Sequence, residues 1–411
     1  MAKNSFLGTA PAVAQVTHVT PANVEINDVF KITLGDDAGR SNQISHTAIA
    51  TTVKDVVEGL KALADAARAA ATAPWNAVTV TEDDTKVIIT ADAAGVPFYV
   101  GTATTDGGGA NTQTLTATAS VLNSGPYDAA CAANWSLGAV PVGTNEVYIE
   151  NTAVDILYGL DFSTVAFASL NVGQSFTGKL GSATVAGAGY FRCLASALDV
   201  GYHYGSGNPT GSPRVKIDLG TTACAITVHN TSGSPTETAR PAVRLLAVNA
   251  GNVLHVKKGK VGLACETPAE VSTILTANVS YVAQRDSDAD LLLGAGVTVT
   301  NLTKTGGTAT LQSAATAVTN RAGNLLTTGS GAITTLTVEG GVVTSNSTGT
   351  ITTVNANGGT LDFTKSTSAR TVTTLAAKSG SLGTVKYDPA CLTVTNKLAP
   401  AGPVSVQLAA A

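Results

Sequence analysis

Ile333-Thr334-Thr335-Leu336-Thr337-Val338-Glu339-Gly340-Gly341 is followed by Ile351-Thr352-Thr353-Val354-Asn355-Ala356-Asn357-Gly358-Gly359, the same figure written twice. An aliphatic-led strand comes first, and a glycine pair closes it seven residues after the strand start. Working outward, Val299-Thr300-Asn301-Leu302 leads to Gly306-Gly307, and Val372-Thr373-Thr374-Leu375 leads to Ser379-Gly380. Val318-Thr319-Asn320 heads a shorter version ending in Gly323. Starts at 299, 318, 333, 351 and 372 give steps of 19, 15, 18 and 21 residues. A period near 20 with two short strands per unit predicts a β-solenoid.

The energetics agree. One such unit cannot cover its own inward aliphatic side chains. Ordering each residue costs about 1–2 kcal/mol of backbone entropy. A buried Val, Ile or Leu returns about 1.5–3 kcal/mol only when it is fully covered. Stacked units supply that cover and pair each other's backbone groups. The competing architecture is a Thr-rich β-sandwich, and the constant offset of the glycine pair favours the solenoid.

The rest of the chain divides into two further regions. Up to about residue 122, Val29 to Leu34 alternates as a strand, and Thr52-Val53-Lys54-Asp55 resembles a capping box with Asp in place of Glu. Val53, Val56, Val57, Leu60, Leu63, Ala64 and Ala67 follow at helical spacing, and Pro74 marks the stop. Val78-Thr79-Val80, Val87 to Thr90 and Thr114 to Thr118 read as further strands. Residues 1–122 are therefore expected to form a small α+β unit with one amphipathic helix. Residues 123–293 are a procession of short apolar strands, among them Val147-Tyr148-Ile149, Val215 to Leu219, Val243 to Leu246 and Val253 to Val256, expected to be irregular β-helix rungs with loops. Residues 294–411 form the regular short-rung solenoid and its cap. The expected fold class is mainly β, a right-handed parallel β-helix preceded by the α+β unit.

Composition narrows the function. Charged residues are 13%, aromatics 5% and hydrophobics 44%, with 42 glycines. Disordered chains carry fewer apolar residues, and globular enzymes usually carry about a quarter charged residues. A net charge of −4 offers no surplus of cations for phosphates, so nucleic acid is not an expected partner. Mean hydropathy is +0.21, yet no apolar run reaches the length of a membrane helix, and no signal peptide is evident. A surface this poor in charge is expected to be partly covered by other copies of the chain. The five cysteines lie far apart with no CxxC pair, and are expected to be buried thiols.

Motifs that carry chemistry are incomplete. Gly173 to Lys179 fits seven places of a P-loop, but Leu180 stands where the Mg²⁺-binding hydroxyl is needed. Asp286, Asp288 and Asp290 space like the first three ligands of an EF-hand loop, with Leu291 in place of its glycine and Val297 in place of its last glutamate. A solvated acidic turn is the favoured reading, and a cation, if any, is expected there. His18, His46, His203, His229 and His255 lie outside metal-ligand spacing. Tyr202-His203-Tyr204 is an aromatic cluster in a glycine-rich loop. Glycan-cleaving β-helices need paired carboxylates. Glu339 and Asp362 fall at different offsets in their units, and nothing in the sequence joins Asp155, Asp161, Asp199 and Asp218. No catalytic, cofactor-binding or metal-binding residue is assigned, and an enzyme is not expected.

The N-terminal run resembles a small module of tailed-bacteriophage virion proteins. The matching features are Val29 to Leu34, the helix from Thr52, Trp75-Asn76, Val78 to Val80, Ile88 to Ala91 and Ala94 to Phe98. Asn134-Trp135-Ser136, Pro141 and Val147-Tyr148-Ile149 are similar to the entry turn of β-helical phage and surface proteins. The resemblance implies a virion component, often trimeric, with an N-terminal anchor and a projecting β-helix; it carries over no functional residues. A homotrimeric capsid decoration or cement protein, bound to the major capsid protein, is the expected role. The alternative is a tail fibre or tailspike attached to tail or adaptor proteins and binding host glycan. A glycan-degrading β-helical enzyme and a bacterial adhesin are further rivals.

Overall fold

A computed structural model describes residues 1–37, 39–182, 189–202, 214–229, 241–279, 289–377, 383–398 and 405–408. The molecule is mainly β and is dominated by two long parallel sheets of 13 and 12 strands. From Glu146–Ile149 onward, successive strands alternate between the two sheets, so each turn of the chain adds one strand to each. This arrangement is consistent with a β-helix. Both sheets run through residues 293 and 294 unbroken: Ala289–Leu293 pairs with Gly259–Leu263 and Thr308–Leu311 in one, and Val297–Lys304 pairs with Ser272–Val279 and Ala314–Asn320 in the other.

The register explains the core. In the longer sheet Val147, Leu170, Leu198, Ile226 and Leu254 stack as direct partners, rung upon rung. Leu302, Val318, Leu336 and Val354 continue the same column, and all nine are buried. In the companion sheet Val215, Val243, Val261, Leu291, Ala309, Leu325, Val343, Leu361 and Val385 do the same. The two columns face each other inside a single apolar core.

The repeat is phased differently from the sequence reading. Val318 aligns with Leu336, while Ala315 is the residue that aligns with Val299 and Ile333. Inward starts at 299, 315, 333, 351 and 372 give steps of 16, 18, 18 and 21 residues. The glycines hold the corners. Gly307, Gly323, Gly341 and Gly359 all adopt left-handed φ between 61° and 72°. A Cβ at Gly341 would collide with the Gly323 carbonyl, which accepts a hydrogen bond from Val342 N at 2.9 Å. Only glycine meets both demands.

The α+β unit contains a four-stranded and a three-stranded antiparallel sheet. Its helix, Val53–Ala69, lays Val56, Val57, Leu60 and Ala64 on a core with Phe30, Ile32, Leu34, Trp75 and Ile89. Thr52 Oγ1 caps the helix by accepting from Asp55 N at 3.3 Å. Asp55 reaches back further than in a standard capping box, accepting from Ile49 N at 2.8 Å and Ala50 N at 3.3 Å. The helix stops at Ala69, before Pro74, with Ala71 in the left-handed region. Strands Val16–Ala22, Ser41–Thr47 and Phe98–Thr105, absent from the sequence reading, complete the two sheets.

The first residues belong with the β body. Lys3–Ser5 pairs in parallel with Glu146–Ile149 and forms the first strand of the longer sheet. Phe6 packs edge-on against Trp135 at 5.3 Å between ring centroids. Trp135 Nε1 donates to Ala129 O at 2.7 Å, and Asn134, fully buried, ties Ala10 N to Gly125 O and Asp128 O. The α+β unit is thus an insertion between Ala10 and Ser124, closed by a bridge from Val13 to Ser124.

Candidate interaction surfaces

Three places outside the core gather polar side chains. The first is the junction between the α+β unit and the body. The hairpin end carrying Asp36, Asp37 and Arg40 meets Tyr158 of the body across a cleft of about 390 Å³ floored by Pro74, Val78, Pro97 and Phe98. Tyr99 donates its hydroxyl to Asp37 Oδ1 at 2.8 Å, while Asp37 Oδ2 is buried without a hydrogen-bond partner. The Asp37 carboxyl is pushed up to about 6: burial raises it most, the Tyr99 bond pulls it down, and the charges of Asp128 and Asp36 raise it again. Asp128 is itself held by Asn123 Nδ2 at 2.8 Å and Ala130 N at 2.9 Å. The junction is therefore a charge-sensitive seam rather than a purely apolar one.

The second is a buried ionic cluster on the outer face of the companion sheet. Val215 and Ile217 point inward, so Lys216 points out; Val243 and Leu245 do the same for Arg244 on the next rung. Gly262 follows Arg244 in this column, and a Cβ there would meet Cys265 Sγ and Pro241. The small residue lets the turn after Leu263 fold over the face. Glu266 from that turn accepts from Lys216 Nζ at 2.8 Å and also from Arg244 Nη1. Lys216 and Arg244 side chains are 0% and 1% exposed. Glu270 accepts from Tyr190 OH at 2.8 Å and from Glu266 N at 2.9 Å, and the Lys216 ammonium sits 4.6 Å from the centre of the Tyr190 ring. Burial raises the Glu266 carboxyl, but the hydrogen bonds and charges of Lys216 and Arg244 outweigh it, so the net shift is downward. Burial and Glu270 push the Tyr190 phenol up. Charges this deeply covered, each with a bonded partner, staple the turn to the body. Sequence reasoning missed the cluster because Lys216 and Glu266 lie 50 residues apart and each looks like an ordinary surface charge.

The third is a charge ladder. Asp161, Arg192 and Asp218 are partners on successive companion strands, with Arg192 3.9 Å from Asp161 and 3.7 Å from Asp218. Two of the carboxylates that the sequence could not join thus share a column, with a cation between them. Asp199 pairs with His229 at 3.0 Å, Asp155 accepts from Lys179 N at 2.8 Å, Glu339 pairs with Arg321 at 3.0 Å, and Asp362 caps Thr364 N at 2.8 Å.

The remaining sequence motifs are dispersed. Asp286 and Asp288 lie outside the described residues, as do His203 and Tyr204. Asp290 sits in the strand Ala289–Leu293 beside Lys260, with burial raising its carboxyl and Lys260 lowering it. In the P-loop-like turn, Phe176 and Leu180 are core residues, so the turn closes a rung. His46 faces Asp55 at 3.5 Å and His255 faces Asn278 at 3.3 Å. Cys193 and Cys224 are buried, while Cys131, Cys265 and Cys391 are half-buried. Burial pushes the Cys224 thiol up to about 12, well above the range of a reactive thiolate. Among the described residues, no group of three or more His, Cys, Asp or Glu is placed to hold a metal ion, and no helix is long and apolar enough to cross a membrane. No family model matches the chain, no curated protein matches it, and no solved structure does.

Proposed function

We propose that this chain is a structural component of a tailed-bacteriophage virion, a homotrimer that decorates the capsid. The α+β insertion grips the major capsid protein and the body projects as a right-handed parallel β-helix. The observation that carries this reading is the joining of a compact α+β unit, held by both its ends, to one end of a long stack of parallel strands. Thirteen strands at about 4.8 Å spacing make a body roughly 58 Å long. Right-handedness follows the general rule for parallel crossovers. The acidic residues that a glycan-cleaving groove would recruit are instead engaged in local caps and ion pairs, which favours a non-catalytic body.

A second reading is favoured by the junction cleft, whose lining includes Tyr158 together with Asp37 and Asn76. An aromatic ring beside carboxylate and amide groups suits a sugar, as a tail protein binding host glycan requires. Imaging of particles carrying a labelled copy of the chain separates the two. Density repeated over the capsid lattice is expected. Density confined to one vertex supports the tail role, and particles without label refute the virion reading.

A further inference from the structure

The longer sheet has an outer face unlike the rest of the surface. From Val297–Lys304 to Leu392–Leu398, each strand turns two neighbouring residues outward after the residue in register with Ile333, and then a third. Register places Thr300, Thr316, Thr334, Thr352, Thr373 and Thr395 in one column, between inward partners Val299, Ala315, Ile333, Ile351, Val372 and Val394 and a second outward column. Four of these six threonines are exposed and two half-exposed. The two adjoining outward columns hold only Thr, Asn, Ala and a terminal Leu. Threonine is stiff at χ1, so a column of them repeats one presentation of methyl and hydroxyl at every rung.

The uncharged face extends beyond these six rungs. In the strands Ala225–Val228, Val253–Val256 and Ser272–Val279 the outward residues are again uncharged apart from His255, which bonds Asn278. The nearest ion pairs mark its margins: Asp199 with His229 at one end, and the exposed Arg321–Glu339 pair at a corner. The companion sheet carries Asp161, Arg192, Asp218, Lys260, Asp290, Asp362 and Lys386 within its strands.

We propose that this threonine face is the contact between copies of the chain. The inference rests on the oligomeric reading above and specifies which surface makes the oligomer. Two arguments select a second copy as the occupant. The first is periodicity. An array repeating at about 4.8 Å is matched rank for rank by a surface with the same repeat, and another copy of this body has it by construction. Small uncharged side chains then meet with little rotamer entropy to lose and no ion to desolvate. The second is area. Nine strands span roughly 38 Å along the stack and average about 20 Å in length, giving roughly 750 Å² per copy, close to the ~800 Å² per partner of a standard stable interface.

Light scattering on the full chain tests this, with the Thr319→Lys/Thr337→Lys double variant beside a companion-face control, Thr310→Lys/Thr344→Lys. The parent and the control are expected to run as a multiple of 41.0 kDa, and the threonine-face variant as a 41.0 kDa monomer with unchanged circular dichroism. An assembled threonine-face variant overturns the assignment of the face and leaves the oligomeric reading standing. A monomeric parent at micromolar concentration removes both. If the lysine pair does not fold, a nitroxide on Thr335→Cys, read against the labelled parent, serves instead. Shielding from a water-soluble relaxation agent is expected, and exposure equal to that of a nitroxide on Thr344→Cys overturns the proposal.

Discussion

Replacing Gly341 with alanine tests the stacking of the rungs at its tightest point. Gly341 has φ 68°, and its amide neighbourhood is committed: Val342 N donates to Gly323 O, and Thr360 N donates to Gly341 O at 2.8 Å. An L residue in the left-handed region costs about 1–2 kcal/mol. The added Cβ also meets the Gly323 carbonyl, which cannot retreat without lengthening its own bond to Val342. A weakened inter-rung hydrogen bond adds about 1 kcal/mol, for a total of roughly 2–3 kcal/mol. With an unfolding entropy near 2.1 cal/mol/K per residue, a body of about 290 residues melting as one unit loses roughly 3–5 °C. A repeat architecture also unfolds locally, so amide exchange at Val342 and Thr360 is expected to accelerate more than exchange at Val147. Thr344→Ala, on an outward position of the strand Val342–Ser345 that follows, is the control, expected within about 0.5 kcal/mol of the parent. Unchanged melting together with unchanged exchange in Gly341→Ala would refute the corner geometry.

Other perturbations reach different parts of the molecule. Glu266→Gln leaves Lys216 and Arg244 sharing a neutral amide and is expected to cost about 3–5 kcal/mol, read by chemical denaturation. Because the Glu266 carboxyl is held below its ordinary range, its contribution is present at neutral pH and fades as pH falls toward its folded pKa; a parent whose acid sensitivity equals that of the variant would argue against it. The Asp37 carboxyl is raised to about 6, so the folded state binds the extra proton and the junction loses stability as pH rises from about 4 to about 6; Asp37→Asn should flatten that slope in a melting series. Thr52→Ala removes the helix cap at about 1 kcal/mol and should lower protection in Val53–Ala69 while exchange in the long sheets stays as before.

The long parallel sheets were legible because Val, Ile and Leu at fixed offsets from a glycine pair report rung length directly. Phasing failed at Ala315, since alanine carries almost no hydrophobic signal and Val318 three residues later drew the strand start to itself. Lys304 and Asn320 obscured the pattern further. Both are fully buried at inward positions, where Lys304 Nζ donates to Ala322 O at 2.6 Å and Asn320 Nδ2 to Gly340 O at 2.6 Å. Sequence periodicity reads such residues as outward. The junction and the ionic cluster were invisible for another reason. Asp37 with Tyr158, and Lys216 with Glu266, become neighbours only after the insertion and the turn have folded back, and no local spacing records that.

The least expected feature, the return of the first residues to the body, determines how force would pass through the molecule. Were the α+β unit attached by one linker, it would swing. Instead Lys3–Ser5 is a strand of the longer sheet, Phe6 covers Trp135, and Asn134 bonds both the outgoing segment at Ala10 and the returning one at Gly125 and Asp128. Two segments entering and leaving side by side, bridged at Val13 and Ser124, resist bending in the plane that contains them. Deleting residues 1–9 should therefore do more than fray an end. It uncovers Trp135, leaves Glu146–Ile149 as an open edge, and frees one of the two supports of the insertion. A red shift in tryptophan emission and faster exchange at Val147 are expected, because Trp75, the other tryptophan, lies in the separate core of the α+β unit. Unshifted emission and unchanged exchange in the truncated chain would show that the first strand merely rests on the body, and that the insertion takes its orientation from the Ser124 side alone.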